Sequence, residues 1–97
     1  MTHKFVTRIA EYSTSVVKKQ NMQLDDPRTL LRLSMIIIET VDKNTESFSQ
    51  SKKRKMCVEV LQCVCQELGL SDRLRQNGEK NIHDWFFDNT KRTCICC

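Results

Sequence analysis

Two glycines and one proline among 97 residues leave this chain few means of turning sharply. Glycine supplies the left-handed backbone that tight turns require, and proline the fixed φ that starts them. An all-β domain needs such a turn every 8–12 residues or so, roughly three times what this composition provides. The scarcity selects helices. Hydrophobic residues at 39% and charged residues at 29% are ordinary for a folded globular chain, and the length allows one small core rather than two. The expectation is an all-α protein: a small three-to-four-helix bundle over residues 1–89, then an irregular, flexible Cys-rich tail over residues 90–97.

Hydrophobic periodicity places the helices. Over residues 3–20, Phe5, Ile9, Tyr12 and Val16 fall on one stripe, with Thr7, Glu11, Thr14 and Lys18 opposite. The stretch Ser13 to Val17 is a poor helix former, so this segment depends on tertiary packing. A second helix has the strongest start signal: Asp26 to cap, Pro27 at the first position, then "RTLLRLSMIIIETV". Leu30, Leu33, Ile37 and Val41 make one stripe, and Leu31, Met35 and Ile38 a second beside it. Such a helix needs cover on two sides, as the centre of a bundle or at a subunit interface. After the polar loop "NTESFSQ", the third helix "SKKRKMCVEVLQCVCQEL" buries Cys57, Val60, Leu61, Val64 and Leu68, with Lys55, Glu59, Gln62 and Gln66 outside. Leu68-Gly69-Leu70 is its glycine stop. "SDRLRQNG" then predicts a short helical turn capped by Ser71, and "EKNIHDWFFDN" a closing segment carrying Ile82, Trp85 and Phe86.

Two clusters suggest binding. Lys52, Lys53, Arg54 and Lys55 sit at a helix start, where positive charge opposes the macrodipole. They form either a solvated helix face, with Lys55 pairing Glu59, or a polyanion or nuclear-import patch. The net charge of +4 permits an acidic partner without demanding one. Trp85, Phe86 and Phe87 are consecutive and cannot all face one core, so at least one is exposed or at an interface, as a partner anchor would be.

Three of the six cysteines lie in the ending "TCICC". Cys94 and Ile95 fit a C-a-a-X lipidation frame, with Cys96 and Cys97 atypical in its last two places. The final pair also resembles the ending of small vesicle-traffic GTPases, whose phosphate-binding loop this chain lacks. Cys94, Cys96 and Cys97 are therefore candidates for lipidation or disulfide formation. Cys63 and Cys65, two apart on a helix, point away from each other and cannot chelate one metal; they are expected to be small buried hydrophobes. There is no C-x-x-C pair, and His3 and His83 are isolated. A set of Cys94, Cys96, Cys97 and His83 matches no established zinc spacing. No metal or cofactor is expected. Nor is catalysis or a small-molecule substrate, since no nucleophile elbow or phosphate loop is present and His83 and Asp84 are adjacent in sequence. The opening "MTHKFVTRIAEYSTSVVKK" has no signal-peptide core, and the best apolar run, Met35 to Ile38, is four residues long. The expected location is the cytoplasmic side, where thiols stay reduced.

From Leu30 to Leu68, the order "LLRLSMIIIETVDK" followed by "SQSKKRKMCVEVLQCVCQEL" resembles small helical proteins of large DNA viruses. The shared pattern is an apolar helix ending near Glu39 to Val41, a polar loop, a Lys52-Lys53 start and a Val- and Leu-rich helix at Val58 to Leu61. It covers about two fifths of the chain. The resemblance implies a small accessory or virion-associated protein, within a capsid assembly, and carries over no site residues.

Together these features point to a non-enzymatic structural or protein–protein interaction role, with a second copy or another protein as partner. One alternative is a peripheral membrane adaptor anchored by its tail cysteines. The other is a nucleic-acid-associated protein using Lys52 to Lys55.

Overall fold

The computed structural model describes the backbone of residues 2–96 and the side chains of residues 4–88. The described residues form four helices: α1 (Thr2–Lys19), α2 (Pro27–Asn44), α3 (Gln50–Leu68) and α4 (Asp72–Cys96). The tail expected to be irregular over residues 90–97 instead continues the backbone of α4 as far as Cys96, and the side chains of Cys94, Cys96 and Cys97 lie outside those described.

Each helix end has a local cause. Asn21 takes a left-handed φ of 49°, and Met22 N–H donates to Val17 O at 3.1 Å, closing α1. Asparagine tolerates that conformation without a glycine. The Asp26 carboxylate accepts from Arg28 N–H at 2.9 Å, with Pro27 in the first position of α2. Ser49 Oγ accepts from Lys52 N–H at 3.3 Å to start α3. At its end Gly69 is left-handed at φ 66°, and Leu70 N–H reaches Cys65 O at 2.9 Å. This is the expected glycine stop, with Leu70 packing on the core behind it.

Short connections make successive helices antiparallel. α2 and α3 pack on each other and on both remaining helices, whereas α1 and α4 do not meet among the described residues. The α2–α3 pair is thus the spine, flanked by α1 and α4. Leu33, Ile37, Val41, Cys57, Val60, Leu61, Val64 and Ile82 have no exposed surface. The two-sided cover that α2 requires comes from within the chain; of its second stripe Ile38 is buried, Met35 half-buried and Leu31 exposed.

Two elements differ from the sequence expectation. α1 buries Val6, Ile9, Ala10, Ser13, Thr14 and Val17 rather than the Phe5–Tyr12–Val16 stripe, leaving Phe5 40% and Tyr12 55% exposed. Small side chains let α1 approach the spine closely, and large aromatics on that face would hold it away. Thr14, expected outside, is therefore inside. Second, the expected short turn and closing segment are one continuous helix. Gly78 is buried within α4 rather than ending a turn. A Cβ there would lie 2.8 Å from Leu61 Cδ2, so the missing side chain is what lets α4 pack against α3.

Candidate protein-docking groove

The four cations that open α3 diverge, because successive residues step 100° around a helix. Lys53 turns inward, and its ammonium lies 2.7 Å from Asp42 Oδ1. Lys52 stays outside, 4.6 Å from the centre of the Phe48 ring, in a cation–π contact. Arg54 and Lys55 are exposed, and no Lys55–Glu59 ion pair occurs among the described residues. The proposed patch of Lys52, Lys53, Arg54 and Lys55 is accordingly not one four-charge surface, since the Lys53 charge is buried and neutralised from within.

The aromatics divide in the same way. Phe86 shares the inward face of α4 with Ile82, four residues earlier, and is a core residue rather than a partner anchor. Trp85 is half-buried and meets Phe86 edge to face, with ring centres 4.9 Å apart and planes at 78°. Phe87, one step further round, is 67% exposed.

These two features, about thirty residues apart in the chain, meet in space. A groove of about 560 Å³ runs between the first turns of α3 and the Phe86–Phe87 region of α4. Gln50, Ser51 and Arg54 form one wall, His83, Asp84 and Phe87 the other, and Phe86 closes the floor. The N–H groups of the first turn of α3 add partial positive charge at that end. Arg54 has no ion pair among the described residues, so its guanidinium is available to a carboxylate or phosphate. Ser51, His83 and Asp84 share the groove, but no hydrogen bond joins them among the described residues, and all three are exposed. What the site offers is an apolar surface with the Arg54 cation on one wall and the Asp84 carboxylate on the other, the chemistry of docking.

A wider groove of about 980 Å³ lies between α1 and α3, with Glu11, Lys18, Lys19 and Glu67 on its rim and Ala10, Thr14 and Cys63 below. Cys57 and Cys65 are buried on the other side of α3, as expected of small hydrophobes, and Cys63 is half-buried. Burial pushes the Cys57 thiol up to about 12, with Asp42 adding and Lys53 opposing. Burial likewise raises Cys65 to about 11, where Arg75 opposes and Glu79 adds. Neither is a nucleophile near neutral pH. Among the described residues no group of three His, Cys, Asp or Glu side chains is placed to hold a metal ion. No helix is long and apolar enough to cross a membrane, again among the described residues.

Sequence periodicity missed Phe5 and Tyr12 as surface residues. The available signal was the run of small residues Ala10, Ser13 and Thr14, which marks the close-packing face of α1.

Comparison with known proteins gave no match: no family model, no curated protein and no solved structure is similar to this chain at a significant level.

Proposed function

We propose that this protein acts by binding another protein, as a non-catalytic component of an assembly, and that the α3–α4 groove receives an acidic amphipathic segment of that partner. The observation that carries this reading is the meeting of exposed Phe87 with Arg54 across one groove. An apolar side chain of the partner packs between Phe86 and Phe87, and a carboxylate beside it meets Arg54. Aromatic residues and arginine are the side chains most often found at energetic centres of interfaces. Exposed Lys52 and Lys55 raise the positive potential on the same helix end and steer an acidic segment towards it. A capsid or virion setting rests on the viral resemblance alone.

The test titrates the protein with an acidic amphipathic helical peptide carrying leucines at i, i+4 and i+7, read by amide chemical-shift mapping. Shifts should concentrate on Gln50, Ser51, Arg54, His83 and Phe87. Arg54→Glu and Phe87→Ala should each weaken binding by about tenfold or more, the loss expected for a hot-spot residue. Shifts spread evenly over the surface, or binding insensitive to both variants, would overturn the reading.

A further inference from the structure

The displaced aromatic stripe of α1 borders a third concavity. A shallow groove of about 550 Å³ separates α1 from α2, lined by Phe5, Arg8 and Tyr12 on one side and Glu39 and Lys43 on the other. Phe5 and Tyr12 are seven residues apart, two helical turns, and so project from one face of α1. Among the described residues they are two of the four large hydrophobic side chains left exposed. Arg8, Glu39 and Lys43 are also exposed, and none has an ion pair among the described residues. The bundle therefore leaves aromatic surface and unpaired charge of both signs on one face.

The order of these groups is self-complementary. α1 and α2 run antiparallel, so Phe5 lies at the Lys43 end of the groove and Tyr12 at the Glu39 end. Consider a two-fold axis perpendicular to the helices, passing midway between Phe5 and Tyr12. It sets Phe5 opposite Tyr12 of a second copy, twice. The same axis passes near the midpoint of Glu39 and Lys43, so each Glu39 meets a Lys43, also twice. An isologous interface requires this property, since one patch must complement its own inverted image. Arg8 lies close to the axis and meets its own symmetry mate, an unfavourable approach that the two Glu39 carboxylates offset.

We infer that the α1–α2 face is a homodimer interface, with Phe5 and Tyr12 as its apolar anchors and Glu39 and Lys43 as its charge register. The inference does not rest on the α3–α4 groove, which lies on a different pair of helices and stays open in the dimer. One face then joins two copies while the other takes a different protein, the minimum a linking component of an assembly needs.

The experiment is sedimentation equilibrium of the full chain with reductant present, so that the tail thiols cannot cross-link copies. The concentration range should run from about 1 to about 200 μM, which spans the affinities of modest interfaces. The expected result is a concentration-dependent approach to twice the 11.4 kDa chain mass. Tyr12→Ala should return the protein to monomer. Glu39→Lys and Lys43→Glu should each weaken the dimer by about tenfold, because each reversal acts at both symmetry-related contacts. The double swap should restore affinity to within about threefold, as it rebuilds both pairs with exchanged signs. Far-UV circular dichroism should be unchanged throughout, since all three positions are exposed. Arg54→Glu and Phe87→Ala should leave the dimer intact, which separates this interface from the docking groove. A chain that remains monomeric, a dimer indifferent to Tyr12→Ala, or a double swap no better than the single reversals would overturn the inference.

Discussion

Lys53 and Asp42 hold the ends of two helices together: their charged atoms are 2.7 Å apart, with the lysine side chain 7% exposed and the aspartate 58%. Each charge is misplaced on its own helix. Asp42 lies in the last turns of α2, where carbonyl groups already concentrate negative charge, and Lys53 near the start of α3, where N–H groups are positive. Across the intervening loop each neutralises the other. Deleting one partner should therefore be costlier than replacing the buried one. Asp42→Ala leaves a buried ammonium without its counter-charge and should cost about 1–2 kcal/mol, below the value for a fully buried pair because Asp42 is solvated. Lys53→Met keeps the stem and removes the charge, and should change stability by less than about 1 kcal/mol. Urea denaturation measures both, and equal losses would show that the ion pair itself is not the source.

Gly78 and Leu61 set the spacing of α3 and α4. Placing Ala at position 78 gains helix propensity of about 1 kcal/mol but drives a Cβ into the fully buried Leu61 side chain. Overpacking of this kind costs about 1–3 kcal/mol, so Gly78→Ala should be net destabilising and Gly78→Val more so. Leu61→Ala alone should lose about 2–5 kcal/mol through its cavity. Combined with Gly78→Ala it should lose less than the sum, because the new methyl group occupies part of that space. Additivity within experimental error would mean that the two positions do not touch.

Ser13 is completely buried, and among the described residues its hydroxyl has no hydrogen-bond partner. A buried hydroxyl without a partner loses its hydration and gains nothing in return. Ser13→Ala removes that group, keeps the small volume α1 needs against the spine and raises helix propensity. It should stabilise the fold by about 0.5–2 kcal/mol, seen as a higher urea midpoint at unchanged slope. A loss of stability would imply that the hydroxyl has a partner, such as an ordered water.

These sites show where sequence was informative. The cap at Asp26 and the stop at Gly69 depend on neighbours within a few residues, so they could be read directly, whereas Ser49, which caps α3, was read only as part of the polar loop. The core face of α3 was equally plain, because Val60, Leu61 and Val64 alternate with charged or amide residues at the helical period. The face of α1 was not, since its aromatics satisfy the same period as its small residues. The choice between them depends on how closely another helix approaches. The same holds for Gly78, which locally resembles a stop and only opposite Leu61 becomes a packing residue. The α3–α4 groove was half visible: Arg54 and Phe87 each belonged to a recognisable cluster, but their meeting depends on α3 and α4 running side by side.

Burial of Cys57 and Cys65 makes stability depend on alkaline pH. Their thiols are raised from an ordinary value near 9 to about 12 and about 11. Below about pH 9 both are protonated in the folded and unfolded chains alike, and they contribute no pH dependence. Above it the unfolded thiols ionise while the folded ones keep their protons, so the native state binds more protons and stability falls as pH rises. Each thiol should remove about 1 kcal/mol between about pH 9 and about pH 10, continuing towards its folded value at a limiting slope of about 1.4 kcal/mol per pH unit. Lysine and tyrosine titrate in the same range, so the test compares variants instead of absolute curves. Urea denaturation of Cys57→Ala and of Cys65→Ala should each show the alkaline loss reduced by about 1 kcal/mol relative to the parent chain. Parallel curves for parent and variants would mean that these thiols ionise as readily in the folded bundle as in the unfolded chain, and the burial of both between α3 and its neighbours would be wrong.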